Sequence, residues 1–500
     1  MHAKVLKSLY GLAFLGAFIL LIPTFLNGYP IFYPDSSTYV RGPDYAVRKI
    51  VSPNLATVWS NVEVAGEQSG STDSKSESGK TILSGRSVYY GALVYLGYIV
   101  SDFWLTAFLQ AYLVAAVLGL LFFRCWKIPG HKKYFLTLAL LTVLTPLGFF
   151  VGFMMPDIFA SISILAITIS FAYWHRLTTF DIVFLAAMLV LSFAAHSSHA
   201  AVAVVMLPLL VLIIVLTKEE RAARIRAFAL VILCLAAAGI LELAFYQITT
   251  KVTGRPPLRL PYLTARIIEL GPGLRYLDNA CQPPQYTVCA FRDRLPTYWT
   301  AFMFDTDTRR GIFAPANFAV KRQLSEEQGR FALNVFLFAP ADVIRGLIYD
   351  FGNQLTRFSF SDQKMTSQFS DYLTENYPAG ISEKIKSSNI YRYPQVLQNW
   401  STLNYAVAVL AILAAAFGLV KLRAQENDTD GRFPISLWVI GFGILANALV
   451  CSALASPLDR FQARVIWLVP LLALGIWFKN QRLTADVSDS DRAVKIPLAG

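Results

Sequence analysis

Charged residues are scarce in this chain. Only 15% of its 500 residues are Asp, Glu, Lys or Arg, where a soluble domain carries about a quarter, so an ordinary water-soluble fold is excluded. A small-residue cleavage site is also missing. The apolar run Leu9 to Asn27 follows a basic start, Met1 to Lys7, and leads into aromatics, which reads as a retained first span and not as a removed signal peptide. No internal repeat is visible, which weakens an inverted-repeat transporter. Cysteine is sparse, and Cys125, Cys234 and Cys451 fall in or beside apolar runs, where a small apolar residue needs no further role.

What is present is hydrophobic length. Apolar side chains make up 55% of the residues and aromatics 14%, with a mean hydropathy of +0.49. Segments near the roughly 20 residues that cross a bilayer run from Leu9 to Asn27, Phe103 to Phe123, Tyr134 to Met155, Ile158 to Trp174, Phe180 to Ala195, Ala200 to Leu216, Ala227 to Tyr246, Leu403 to Val420, Pro434 to Leu454 and Val465 to Phe478. Tyr89 to Val100 is apolar but too short to cross. The fold class expected is therefore an all-α polytopic membrane protein of about ten transmembrane helices.

The net charge of +12 resides in short clusters between these runs, such as Arg124 to Lys133 and Lys218 to Arg226. That is the pattern of the positive-inside rule, not of a nucleic-acid surface. With both termini inside, the turns at Pro156 and at His196 to His199, which lack Lys and Arg, fall outside. So do the loop 28–101, the insertion 249–400 and the turn Ala455 to Arg464. The division expected is an N-terminal transmembrane module 1–248, an extracytoplasmic domain 249–400 that is small and α-rich or mixed, a C-terminal transmembrane module 401–480 and a cytoplasmic tail 481–500. Gly66 to Gly79 is polar, small and free of aromatics, a composition that cannot bury enough surface to order itself. Within the insertion, Ala332 to Leu347 shows helical spacing of apolar residues. Cys281 and Cys289, eight apart in CQPPQYTVC, admit a disulfide if the insertion faces an oxidising compartment; two free thiols are the alternative.

Four constellations on the outer face are candidates to carry chemistry. Asp35, in GYPIFYPDSSTYV with Tyr39 and other aromatics around it, is placed to accept a proton or hold a cation; Pro-Asp-Ser-Ser is equally good turn or cap chemistry. Asp157, in MMPDIFA, has the same two readings, with the helix dipole favouring a cap. His196 and His199, three apart, share a face if helical, but local sequence supplies no third metal ligand, so a polar substrate contact or a hairpin turn is the better reading. Arg460 and Arg464 enter the last span in SPLDRFQARVIW. They run against the positive-inside trend and form a forked donor pair suited to phosphate; head-group snorkelling is the alternative.

This plan resembles the GT-C superfamily of membrane glycosyltransferases, which use a polyprenyl-phosphate-linked sugar. The match falls on Asp35 with Tyr39, on Asp157, and on Arg460, Phe461 and Arg464. The chain departs from it in having Ser36 where a second adjacent acid is common and Phe461 where Tyr is usual. The resemblance implies an inverting transfer to a glycan, lipid or protein acceptor, with Asp35 as base or orienter and Asp157 on a sugar hydroxyl or a divalent cation (Mg or Mn). Arg460 and Arg464 would face the departing phosphate. It also implies a bacterial inner membrane location with a periplasmic active face in the cell envelope, and membrane lipids but no nucleic acid as partners. Rival readings are a lipid-linked glycan or phospholipid transporter or flippase, with Glu242 as the acid to watch in a span, a membrane acyltransferase using His196 or His199, and a structural assembly factor.

Overall fold

The computed structural model describes residues 2–494 except 53, 56, 62–84, 282–283, 297, 363–368 and 425–430. The polar stretch Gly66 to Gly79 lies outside the described residues. Among those described, every regular element is helical, and β pairing is confined to two isolated bridges, Ile31 with Phe153 and Cys281 with Pro284.

Eight described helices are long and apolar enough to cross a bilayer: Leu9–Asn27, Trp104–Cys125, Ile158–Arg176, Ser197–Leu216, Arg221–Thr253, Pro394–Lys421, Arg432–Leu454 and Asp459–Gln481. The third and fifth expected spans are the ones that differ. His131–Leu144 ends at Thr145, which is extended (φ −133°, ψ 170°), and a separate short helix Leu147–Val151 follows Pro146. Proline disfavours the helical region for the residue before it, so the break is local chemistry. Thr179–Ala195 is 17 residues long, started by a capping box between Thr178 and Asp181 and stopped at an extended His196. A further correction concerns Ala332 to Leu347. Its periodic run is cut at Ala339 before Pro340, where Phe318–Phe338 and Pro340–Thr356 meet at 106°.

Ile158–Tyr173 is the axis of the bundle, because all 16 of its residues are buried. A helix surrounded on every side has little water to satisfy its polar groups, and here Ser170 Oγ alone of its Ser and Thr hydroxyls stays buried without a partner. Ser161, Ser163 and Thr168 donate to the carbonyls of Ile158, Ala160 and Ile164 at 2.8–2.9 Å. Arg432–Leu454 packs against this axis at Gly443, where a Cβ would lie 2.6 Å from Ile164 Cγ2; a side chain there would push the helices apart.

The described apolar side chains form two cores. The larger runs through the spans and takes in Phe358, Phe360, Phe369, Leu373, Tyr377 and Leu397 from the returning part of the insertion. The smaller is built from residues between Leu258 and Val343, including Ile268, Leu277, Phe302 and Phe331. Cys281 and Cys289 pack on this second core and are joined as a disulfide, with a Cα–Cα separation of 5.4 Å. Closing a loop of that size is worth about 2–3 kcal/mol by the chain-entropy estimate. Replacing both cysteines with serine is therefore expected to lower the unfolding free energy of this domain by about that amount. Calorimetry of oxidised, reduced and double-serine protein checks it, and three identical midpoints would refute the bond.

Arg266, 4% exposed, locks the smaller core to the spans. It contacts Glu269 and Asp350 and donates from Nε to the Ser452 carbonyl at 3.1 Å. Next to it, Gln354 accepts from Leu458 N at 3.0 Å and donates to Leu458 O at 2.9 Å, and Arg357 donates to Pro457 O at 2.9 Å. These bonds hold the turn from which Arg460 projects.

Candidate functional site

The segment after the first span is pinned by a short β bridge. Ile31 N donates to Gly152 O at 2.9 Å and Met154 N to Ile31 O at 2.8 Å, which sets Asp35 and Asp157 at the same end of the bundle. Gly152 is required there, since a Cβ would fall 2.0 Å from Thr24 Oγ1. Gln110 braces the far side of the bridge, donating to the carbonyls of Val151 and Phe153 at 3.0 and 3.1 Å and accepting from Tyr90 at 3.0 Å. Tyr90 in turn meets the ring of Tyr39 edge-on at 5.0 Å.

Asp35 and Asp157 both occupy N-cap positions, ahead of Ser36–Ile50 and Ile158–Tyr173, yet neither side chain makes a capping bond. Both carboxylates face guanidinium groups instead. Asp35 Oδ1 lies 2.6 Å from Arg86 Nη2, with the carboxylate 31% exposed. Burial disfavours the Arg86 cation, but Asp35 and the hydroxyls of Tyr39 and Tyr262 more than offset it, so its pKa is raised. Asp157 is buried and shared: its Oδ1 is 3.8 Å from Arg460 Nε and 3.6 Å from Arg464 Nη1.

The two arginines differ in how fully they are used. Arg464 is saturated, reaching Asn447 Oδ1 at 2.9 Å, Cys451 Sγ at 3.2 Å and Ser198 Oγ at 3.3 Å from Nη2. Arg460 stacks its guanidinium 4.3 Å over the Tyr33 ring and keeps a buried Nη1 with no hydrogen-bond partner. An orphaned donor on a charged group is costly unless a ligand completes it.

The histidine turn joins through Ser198. Its backbone N donates to His196 Nδ1 at 3.1 Å, and its hydroxyl lies 2.8 Å from the same nitrogen while meeting Arg464. Because Nδ1 accepts, the network assigns the proton of the neutral ring to Nε2. Burial first, then Arg464, Arg86 and Arg460, lower the His196 pKa to about 3. The folded value lies below the ordinary 6.5, so this ring contributes stability above that pH and loses it as the pH falls toward 3. In His196→Gln the loss of stability between about pH 7 and 4 is expected to be shallower than in the parent. Thermal melts across that range test it, and an identical slope would contradict the assignment. His199 is fully buried, its Nδ1 2.9 Å from Ser192 O and its Nε2 without a hydrogen-bond partner.

Asp35, Asp157, Tyr39, His196, Arg460 and Arg464 thus converge at one end of the bundle. The Tyr39 hydroxyl, raised in pKa by burial, lies within electrostatic reach of Arg86, Asp35, Asp157 and Arg460. His199 stands beside His196, with ring centroids 5.5 Å apart, but bonds into the helices. Glu242 lies on an exposed face of its span, not in the interior where a coupling acid would be expected. Arg86 and Asn447 were not legible in advance, while Tyr33 and Ser198 stood in the aromatic belt and the histidine turn without a role of their own. No motif or period marks these four roles, and each is defined by a partner more than 40 positions away or by a helix packing contact.

Among the described residues no three His, Cys, Asp or Glu side chains cluster as a metal site. No family model, curated protein or solved structure matches this chain.

Proposed function

We propose that this protein is an integral membrane glycosyltransferase that moves a sugar from a polyprenyl-phosphate carrier to an extracytoplasmic acceptor with inversion. The observation that carries the reading is Arg460, whose buried Nη1 lacks an acceptor beside a carboxylate, Asp157, that two arginines already share. A phosphate oxygen is the acceptor that fits a forked, weakly hydrated donor of this kind.

In this reading Asp35, partly exposed, takes the proton of the acceptor hydroxyl as its oxygen bonds to the anomeric carbon. The bond from that carbon to the phosphate oxygen breaks, and the electron pair leaves with the phosphate. Arg460 meets the charge developing there, Arg464 holds Asp157 and the turn in place, and Arg86 orients the Asp35 carboxylate. His196 offers an Nε2 proton to a sugar oxygen. A divalent cation does not fit beside Asp35 and Asp157, because each carboxylate already faces a guanidinium. In this reading the site faces outward, as the basic clusters at the opposite helix ends favour, and the inner-membrane location rests on the resemblance alone.

The test is release of free polyprenyl phosphate when purified protein in lipid is given polyprenyl-phosphate sugars. Release with at least one donor supports the reading. No release with any donor, together with lipid movement across liposomes, would favour a flippase.

A further inference from the structure

The helices that carry the site also carry a second cluster at their other ends. Ile158–Arg176 begins after Asp157 and ends in Arg176, Ser197–Leu216 begins after His196 and ends before Lys218, and Arg432–Leu454 begins at Arg432 and contains Asn447. There, a cavity of about 680 Å³ is lined by Arg176, Lys218, Glu219, Glu220, Arg224 and Arg432, among others. Four bases thus face two acids. Glu220 is consumed by Arg432, with Nε to Oε1 at 2.9 Å. Lys218 is exposed and makes no ion pair among the described residues. Arg224 is 3% exposed, donates from Nη1 to the Glu219 carbonyl at 2.5 Å, contacts Thr217, and leaves its Nε buried without an acceptor. The cavity also receives the amino end of the 23-residue helix Arg432–Leu454, whose N-cap Gly431 has no side chain to cap it. Excess positive charge, a buried guanidinium with an open donor and a helix N-terminus are the elements of an anion site.

We propose that this cavity binds a phosphate-bearing anion at the membrane surface opposite the candidate active site. The ligand chemistry is one phosphate monoester or diester, from an anionic lipid headgroup or from a soluble phosphate. The cavity's place at the ends of spans is where a headgroup phosphate resides and where basic side chains attract it. The inference does not depend on the glycosyltransferase reading.

The experiment uses the full-length protein in neutral detergent. In one arm, native mass spectrometry counts phosphatidylglycerol or phosphatidylcholine retained from mixed micelles. In the other, phosphorus NMR follows broadening of inorganic phosphate. One retained phosphatidylglycerol per chain, without phosphatidylcholine, identifies a lipid source; broadening of inorganic phosphate that displaces the lipid identifies a soluble one. In either case Lys218→Glu is expected to weaken binding at least about fivefold, the value of one basic contact at a membrane surface, and Arg224→Gln likewise. Since Arg224 also braces the Thr217–Glu219 turn, Lys218→Glu decides the matter if Arg224→Gln fails to fold. Equal retention and broadening in parent and variants would overturn the site.

Discussion

Asp35→Asn is expected to cut release of polyprenyl phosphate by about 10²–10⁴-fold, the usual contribution of a positioned general base. The amide keeps the shape and one oxygen toward Arg86 but cannot accept a proton. Since Asp35 is 31% exposed and its ion pair is only partly buried, screening limits what the pair adds to stability. The variant should therefore melt within a few degrees of the parent. Turnover above about a tenth of the parent would sink the base assignment. A collapse of folding instead would show that Asp35 acts through Arg86 as structure.

The second large effect separates the two arginines, which look equivalent at spacing four in the sequence. Arg464 is 3% exposed and serves Asp157, Asn447, Ser198 and Cys451. Arg464→Ala removes one of the two guanidinium partners of the buried Asp157 and the donors to the Asn447 oxygen, and breaking a buried pair costs up to about 3–5 kcal/mol. Arg460 is 16% exposed, rests on Tyr33 and has an open Nη1. Arg460→Ala should leave the fold intact and weaken donor use by about 10–100-fold, the worth of a charge-assisted bond to phosphate. Denaturant melts read the first effect and kcat/KM with a polyprenyl-phosphate sugar reads the second. If the two variants behaved alike in both measurements, the division of labour drawn from the geometry would fail.

Much of the framework was legible because membrane insertion is written in local composition. Runs of apolar residues, the absence of Lys and Arg from two turns, and the placement of Arg124, Lys218 and Arg432 are properties of short windows, and hydropathy responds to them directly. The expected span Tyr134 to Met155, broken at Thr145–Pro146, shows where window averages mislead, whereas Phe180 to Ala195 is one unbroken helix that is merely short. Hydropathy counts apolar residues and ignores whether one backbone can hydrogen-bond through them. The elbow at Ala339–Pro340 has the same cause.

For the candidate site, sequence alone determined that acids, histidines and arginines stand at helix ends, since only polar residues tolerate the water boundary and few occur within the spans. It left Asp35 balanced between cap and chemistry and Asp157 tilted toward a cap, because the same residue types serve both. Tertiary structure gives neither side chain a capping bond and places Arg86 against Asp35 and both late arginines against Asp157, across separations of 51 residues and about 300 residues. It also decided that Arg464 is saturated while Arg460 is open. Charges act through space and not along the chain, and only packing of the helices around Ile158–Tyr173 sets those distances.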